Sequence, residues 1–109
     1  MNESFIHNVT EQLSAFVGER EWDQFHTPAN LAKSISIEAG ELLECFQWNE
    51  DADQEVVKLE LADVLTYCFL LADKMSLSPE QIVLEKLELT KAKYPVDKSR
   101  GRSDKYDKL

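Results

Sequence analysis

Two pairs of acids sit inside the two most apolar stretches of this 109-residue chain. Glu38 and Glu41 lie in SIEAGELLECFQW, and Glu60 and Asp63 lie in LELADVLTYCFLLA. Each pair is spaced i, i+3, so a helix brings both carboxylates of a pair onto one face. The neighbours show that this face is not an ordinary solvated one. At about 100° per residue, Leu31, Ile35 and Leu42 fall within about 60° of Glu38. The same count places Val56, Leu59, Tyr67 and Leu70 around Asp63. Carboxylates in an apolar stripe are costly unless a cation or a hydrogen-bond partner compensates them. A chain carrying two such stripes must fold so that the four acids share a partner.

The rest of the sequence reads as helices. Only three Gly and three Pro interrupt it, and long periodic segments make the class all-α. A first helix is expected from Glu3 to Arg20, with Phe5, Val9, Leu13, Phe16 and Val17 on one face. Glu21–His26 is a connection holding two aromatics and a histidine. Thr27-Pro28 supplies an N-cap followed by Pro at the first helical position, opening a second helix to about Trp48. Asn49–Asp53 is a polar turn. A third helix from Gln54 to Met75 is apolar on nearly every side from Leu61 to Ala72, which marks it as central. Ser78-Pro79-Glu80-Gln81 reads as a capping box, and its helix ends near Tyr94-Pro95. The expected domain is residues 1–94. Residues 95–109 form a basic tail with few apolar residues, mobile unless it docks on a ligand or a neighbour.

The second and third helices form an antiparallel hairpin. Glu38 and Glu41 lie about two turns before its connection, and Glu60 and Asp63 about two turns after it. The pairs therefore sit at similar depths, and all four carboxylates can meet as one metal site. An alternative is that they make buried salt bridges or hydrogen bonds to other helices. Only five basic residues precede position 91 (Arg20, Lys33, Lys58, Lys74 and Lys86), few to pair four buried charges. Oxygen-only ligands favour a hard cation, Mg²⁺ or Mn²⁺, over zinc. Di-iron bundles add Glu-x-x-His motifs, and neither His7 nor His26 falls at that spacing. Such a site suits polarising a phosphoryl oxygen and lowering the pKa of an attacking water.

Charge is distributed unevenly. Residues 1–90 carry five Lys/Arg against eighteen Asp/Glu, whereas residues 91–109 carry seven against three. The acidic body argues against binding a nucleic-acid polymer, while the basic tail can hold a polyanionic small molecule. Cys45 and Cys68 are expected as buried reduced thiols, with no Cys/His cluster for zinc. The N-terminus MNESFIHNV lacks a basic region followed by an apolar one, so no secretory leader is expected. No apolar run approaches the roughly 20 residues of a membrane span. A cytoplasmic location is the expectation.

The arrangement Glu38-x-x-Glu41, eighteen residues, then Glu60-x-x-Asp63 resembles the signature of the MazG-like all-α nucleotide pyrophosphohydrolases. REWDQFHTPANLAKSISIEAGELLECFQW and KAKYPVDKSRGRSDKYDKL are similar to the short branch that includes the dCTP pyrophosphatases. The resemblance covers roughly residues 19–109. It implies a four-helix MazG-like fold assembled as a homodimer or homotetramer. It implies Mg²⁺-dependent hydrolysis of a (deoxy)nucleoside triphosphate such as dCTP to the monophosphate and pyrophosphate, in a house-cleaning role. Glu38, Glu41, Glu60 and Asp63 would hold the metal and orient the water. Trp22 and Trp48 would contact the base, although both could equally pack at helix ends. His26 could hydrogen-bond base or phosphate, or fix the turn before Thr27. Tyr67 could reach the sugar or belong to the core. Lys91, Lys93 and Arg100 are candidates for the β and γ phosphates, or solvated tail charges. Two other readings stand beside this one. One is a non-catalytic helical module for nucleotide binding or assembly. The other is an enzyme acting on a different phosphate ester, such as a phosphoribosyl compound.

Overall fold

The computed structural model describes residues 3–109, with side chains from Asn8 onward. Phe5 and His7 therefore lie outside the described side chains. Among the described residues there are five α-helices and two single 3-10 turns, and no strand. The α-helices are α1 (Glu3–Glu19), α2 (Pro28–Glu44), α3 (Gln54–Lys74), α4 (Pro79–Lys93) and α5 (Val96–Ser99). The 3-10 turns are Asp23–Phe25 and Tyr106–Lys108. Among the described residues, no helix is long and apolar enough to cross a membrane. The chain divides into two compact units between Pro79 and Glu80.

The first unit contains α1, α2 and α3. α2 and α3 pack along one another as a hairpin, and α1 packs on α3. α3 thus meets both other helices, as its all-round apolar stretch requires. The core is Leu31, 1% exposed, with Val17 and Leu70. Leu13, Tyr67 and Leu71 close around it. The helices begin where short-range chemistry dictates. Thr27 Oγ1 accepts the Asn30 amide at 3.1 Å, and Pro28 follows it as the first helical residue. Asp53 caps α3 by accepting the Glu55 amide at 2.9 Å. Each cap satisfies one of the amides that a helix start leaves without a partner.

The helix ends are less regular. α1 and α3 both close with the paired bonds of a Schellman motif. In α1, Trp22 N–H donates to Val17 C=O and Glu21 N–H to Gly18 C=O, both at 3.1 Å. In α3, Leu77 N–H donates to Ala72 C=O at 2.8 Å and Ser76 N–H to Asp73 C=O at 3.0 Å. Both motifs need a left-handed residue, and Glu21 (φ 55°) and Ser76 (φ 58°) supply it without being glycine. α2 ends at Glu44, four residues before the expected Trp48. Cys45, Phe46 and Gln47 donate to carbonyls three positions back. The last turn tightens and unwinds into the connection instead of continuing as α-helix. Cys45 and Cys68 are free thiols, half-buried where full burial was expected, because the first unit leaves much of its apolar surface uncovered.

The second unit holds α4 and the chain after it. The tail is folded back on the end of α4 rather than extended. Tyr106 N–H donates to the Tyr94 hydroxyl at 3.1 Å. The two rings meet edge to face at 6.2 Å, and the Lys93 ammonium lies 4.8 Å from the Tyr106 ring centre. The few aromatics of the tail are what dock it, through contacts of the edge and cation-π kinds.

Candidate active site

The acid pairs come together inside the α2–α3 hairpin. Glu38, Glu60 and Asp63 each offer a carboxylate oxygen, and these oxygens lie within 4.8 Å of one another. Glu41 joins the group as a close neighbour of Glu38. Side-chain interaction with Glu41, the loss of water around Glu38, and the charges of Glu41, Asp63 and Glu60 push the Glu38 carboxyl up to about 7. Burial, then the charges of Glu41 and Asp63, raise the Glu60 carboxyl as well. Like charges crowded in a poorly hydrated site favour the protonated form.

Two oxygens decide what the cluster needs. Glu38 Oε2 and Glu60 Oε2 are both buried with no hydrogen-bond partner among the described residues. Among the described residues, no Lys or Arg pairs with any of the four acids. The salt-bridge alternative therefore has no partner here. Buried acceptors without donors are rare in native proteins and call for an ion or an ordered water. An all-carboxylate donor set fits a hard divalent cation, and Glu38 and Glu60, which carry the orphaned oxygens, both belong to the group of three acids whose oxygens lie close together.

A pocket of about 350 Å³ opens beside this cluster. Glu38 from α2 and Asp63, Thr66, Tyr67 and Leu70 from α3 form one side. Leu13, Phe16 and Val17 from α1 form another, and Trp22 and His26 from the α1–α2 connection complete it. The structure thus brings Trp22, His26 and Tyr67 to the same space as two of the acids. Glu41 and Glu60 line a separate groove with Glu44, Cys45 and Val56, so the cluster is reached from two sides.

Trp48 does not join them. It is 89% exposed, set apart by the early end of α2. Lys91 and Lys93 lie at the end of α4 and Arg100 after α5, all in the second unit. Lys91 pairs with Glu88 at 3.1 Å, and Lys93 rests on Tyr106.

Phe16, Leu13 and Thr66 are lining residues that sequence reasoning did not single out. Leu13, Phe16 and Val17 carry the i, i+3, i+4 spacing of a core face, which is how they were read. Phe16 becomes a pocket wall only because the chain reverses at Glu21. Trp22 then meets the Phe16 ring edge-on at 5.6 Å, and the Arg20 guanidinium lies 3.8 Å from the Phe16 ring centre. Thr66 donates its hydroxyl to Ala62 C=O at 2.8 Å, so its polar atom is already used and its methyl is left for the pocket.

Comparison with known proteins points to one family. Residues 33–109 match the sequence profile of the MazG-like family. dCTP pyrophosphatase 1 of Rattus norvegicus is 34% identical, the alignment covering 98% of this chain and 69% of that protein. The Homo sapiens protein of the same name is 32% identical over the same shares. The crystal structure of a pyrophosphatase from Archaeoglobus fulgidus superposes with a TM-score of 0.76 at 40% identity. It covers 84% of this chain and 93% of its own.

Proposed function

The chain belongs to the MazG-like family and is a nucleoside triphosphate pyrophosphohydrolase, and from that premise we propose that its substrate is dCTP or a related deoxynucleoside triphosphate. Water cleaves the bond between the α and β phosphates, giving the monophosphate and pyrophosphate. The observation that carries the metal-dependent part of this reading is the pair of orphaned oxygens on Glu38 and Glu60. A non-catalytic helical module has no use for buried acceptors that cost stability.

Glu38, Glu41, Glu60 and Asp63 would hold Mg²⁺, with Mn²⁺ as a substitute. When bound, such an ion withdraws charge from a phosphoryl oxygen and acidifies a water. The chain's own residues do the positioning. Trp22 offers a ring face to the base beside Phe16, and stacking of this kind is worth about 1–3 kcal/mol per base. His26 offers a ring nitrogen to the base or a phosphate. Tyr67, one turn beyond Asp63 on the same face, reaches toward the sugar. The apolar walls from α1 and α3 limit water around the acids, which strengthens each charge interaction there.

Association of chains completes the proposal. Ile37, Leu43, Phe46 and Leu59 of the hairpin region are exposed, Leu43 by 70%. α4 exposes Val83 and Leu89. Apolar surface of this extent is characteristic of an interface, and we assign it to a homodimer or homotetramer. In that assembly Trp48 and the basic residues Lys91, Lys93 and Arg100 would serve a site formed with a neighbouring chain. A role in clearing the nucleotide pool would place the protein in the cytoplasm.

The test is a panel of normal and modified deoxynucleoside triphosphates with Mg²⁺, scored for pyrophosphate. Release from none of them would overturn the enzymatic reading. Calorimetry showing tight nucleotide binding without product would favour the binding module. A monomer in light scattering at micromolar concentration would remove the shared site.

A further inference from the structure

The segment that carries Trp22 and His26 is held at both ends by local bonds. At its start, the Schellman motif fixes the Trp22 amide to Val17 C=O. At its finish, the Asn30 side chain donates to Phe25 C=O at 3.0 Å and Thr27 caps α2. Local bonds of this kind set the shape of a turn. They do not set where the turn sits against a helix remote in sequence.

Val17 and Leu31, on either side of the turn, pack on Leu70 of α3, and one polar contact joins the turn itself to that helix. Lys74, in the last turn of α3, donates to Asp23 Oδ1 at 2.8 Å across 51 positions. The Lys74 side chain is only 30% exposed, so its stem lies along the protein while its ammonium reaches the connection. The C-terminal end of a helix is the favourable place for that charge, and the Schellman motif at Ser76 keeps the end from fraying. Lys74 and its hydrogen bond hold the Asp23 carboxyl below its ordinary value. The pair stands on a second small cavity, about 170 Å³, which also touches Ser14, Asp73 and His26. His26 lines this cavity and the larger one beside the acids. The ion pair thus includes the residue next to Trp22 and lines a cavity that shares His26 with the candidate substrate pocket.

We propose that Asp23 and Lys74 are positioning residues: their ion pair latches the α1–α2 connection to the end of α3 and so holds Trp22 and His26 against the substrate pocket. The proposal rests on the assignment of that pocket to the nucleotide, but the latch itself does not. It predicts that losing either charge loosens the aromatic rim without disturbing the acid cluster. Substrate binding should weaken while the chemical step stays intact, which is the pattern of lost uniform binding. Because the pair is partly exposed, the effect should be modest, about three- to fivefold in KM.

Two measurements test this. The first needs no activity. The chain has two tryptophans, so in a Trp48→Phe protein the emission comes from Trp22 alone. Asp23→Asn or Lys74→Met should raise acrylamide quenching of Trp22, and the exchange Asp23→Lys with Lys74→Asp should bring it back. Unchanged quenching in both single variants would overturn the latch, whatever the enzyme does. The second is kinetic and uses native Trp48. The single variants should raise KM about three- to fivefold with kcat within about twofold, and the exchange should restore KM. A loss of thermal stability with KM unmoved would make the pair merely structural. Lys74→Arg keeps the charge and should behave as the native protein in both measurements. If quenching responds but no nucleotide is hydrolysed by the native chain, the substrate assignment fails and the latch survives.

Discussion

The two ends of the three-helix unit solve opposite problems. Near the Schellman ends of α1 and α3, Val17, Leu31 and Leu70 meet and exclude water. Toward the α2–α3 connection, α2 and α3 enclose Glu38 and Glu60, with oxygens that none of the described residues satisfies. One end gains stability from packing, and the other gives some up by crowding carboxylates together. The lesson is that apolar periodicity alone does not say where a core is, since both ends carry it. Acids within the stripe mark the end that is not packed as core.

The largest expected effect breaks the acid end without touching the core. Asp63→Asn or Glu41→Gln removes a negative charge from the cluster and should lower turnover by at least about a hundredfold, since even partners one shell further out cost 10–100-fold. Circular dichroism should still show a helical protein. Retained activity would sever the acids from the chemistry.

Leu31→Ala is the reverse cut. It should cost about 2–5 kcal/mol in a denaturant titration, as a cavity at the centre of the packed end. If the loss is under about 1 kcal/mol, the packed end is not the source of stability that the contrast requires.

Trp22→Ala should weaken nucleotide binding by about 1–3 kcal/mol, read as KM. Trp48→Ala separates two arrangements. An equal effect would place Trp48 at a site shared between chains, whereas no effect would leave it as exposed surface.

The acid end should also show in the pH dependence of stability. The Glu38 carboxyl is raised from 4.5 to about 7 in the folded chain. The folded state therefore binds more proton than the unfolded one between those values. Without metal, thermal stability should fall as pH rises from about 4.5 through about 7. Mg²⁺ should restore it, with more effect at pH 8 than at pH 6, because cation and proton compete for the same oxygens. Differential scanning with and without EDTA measures both slopes. A metal-free stability that rises over that window would contradict the crowding of the four acids.

The smallest expected effect is at the helix ends. Ser76 sits at φ 58°, where glycine pays no steric cost. Ser76→Gly should change stability by no more than about 1 kcal/mol, and in the favourable direction. A loss would mean that the serine side chain contributes more to the end of α3 than its backbone strain costs.

Much of the molecule was legible before its structure. The helix starts follow from Thr27-Pro28, Asp53 and Pro79, because caps and proline act within a few residues of where they stand. The meeting of the acid pairs followed from counting turns on either side of one connection. The early end of α2 was not legible, since nothing in Cys45-Phe46-Gln47 forbids helix. The folded tail was missed because its aromatic contacts join residues twelve apart, Tyr94 and Tyr106. Phe16 and Thr66 were missed as pocket walls because their spacing is that of core residues.

The sequence by itself determined that this is an all-helical chain whose four carboxylates fall at matching depths of one hairpin, because helical periodicity and the cost of buried charge are local and additive enough to read. Tertiary structure decided which aromatics face that site. Trp22 reaches it because the chain turns left-handed at Glu21, and Trp48 stands apart because α2 stops early. Each outcome depends on a backbone reversal of one or two residues, and no spacing rule encodes the direction a chain takes after its helix ends.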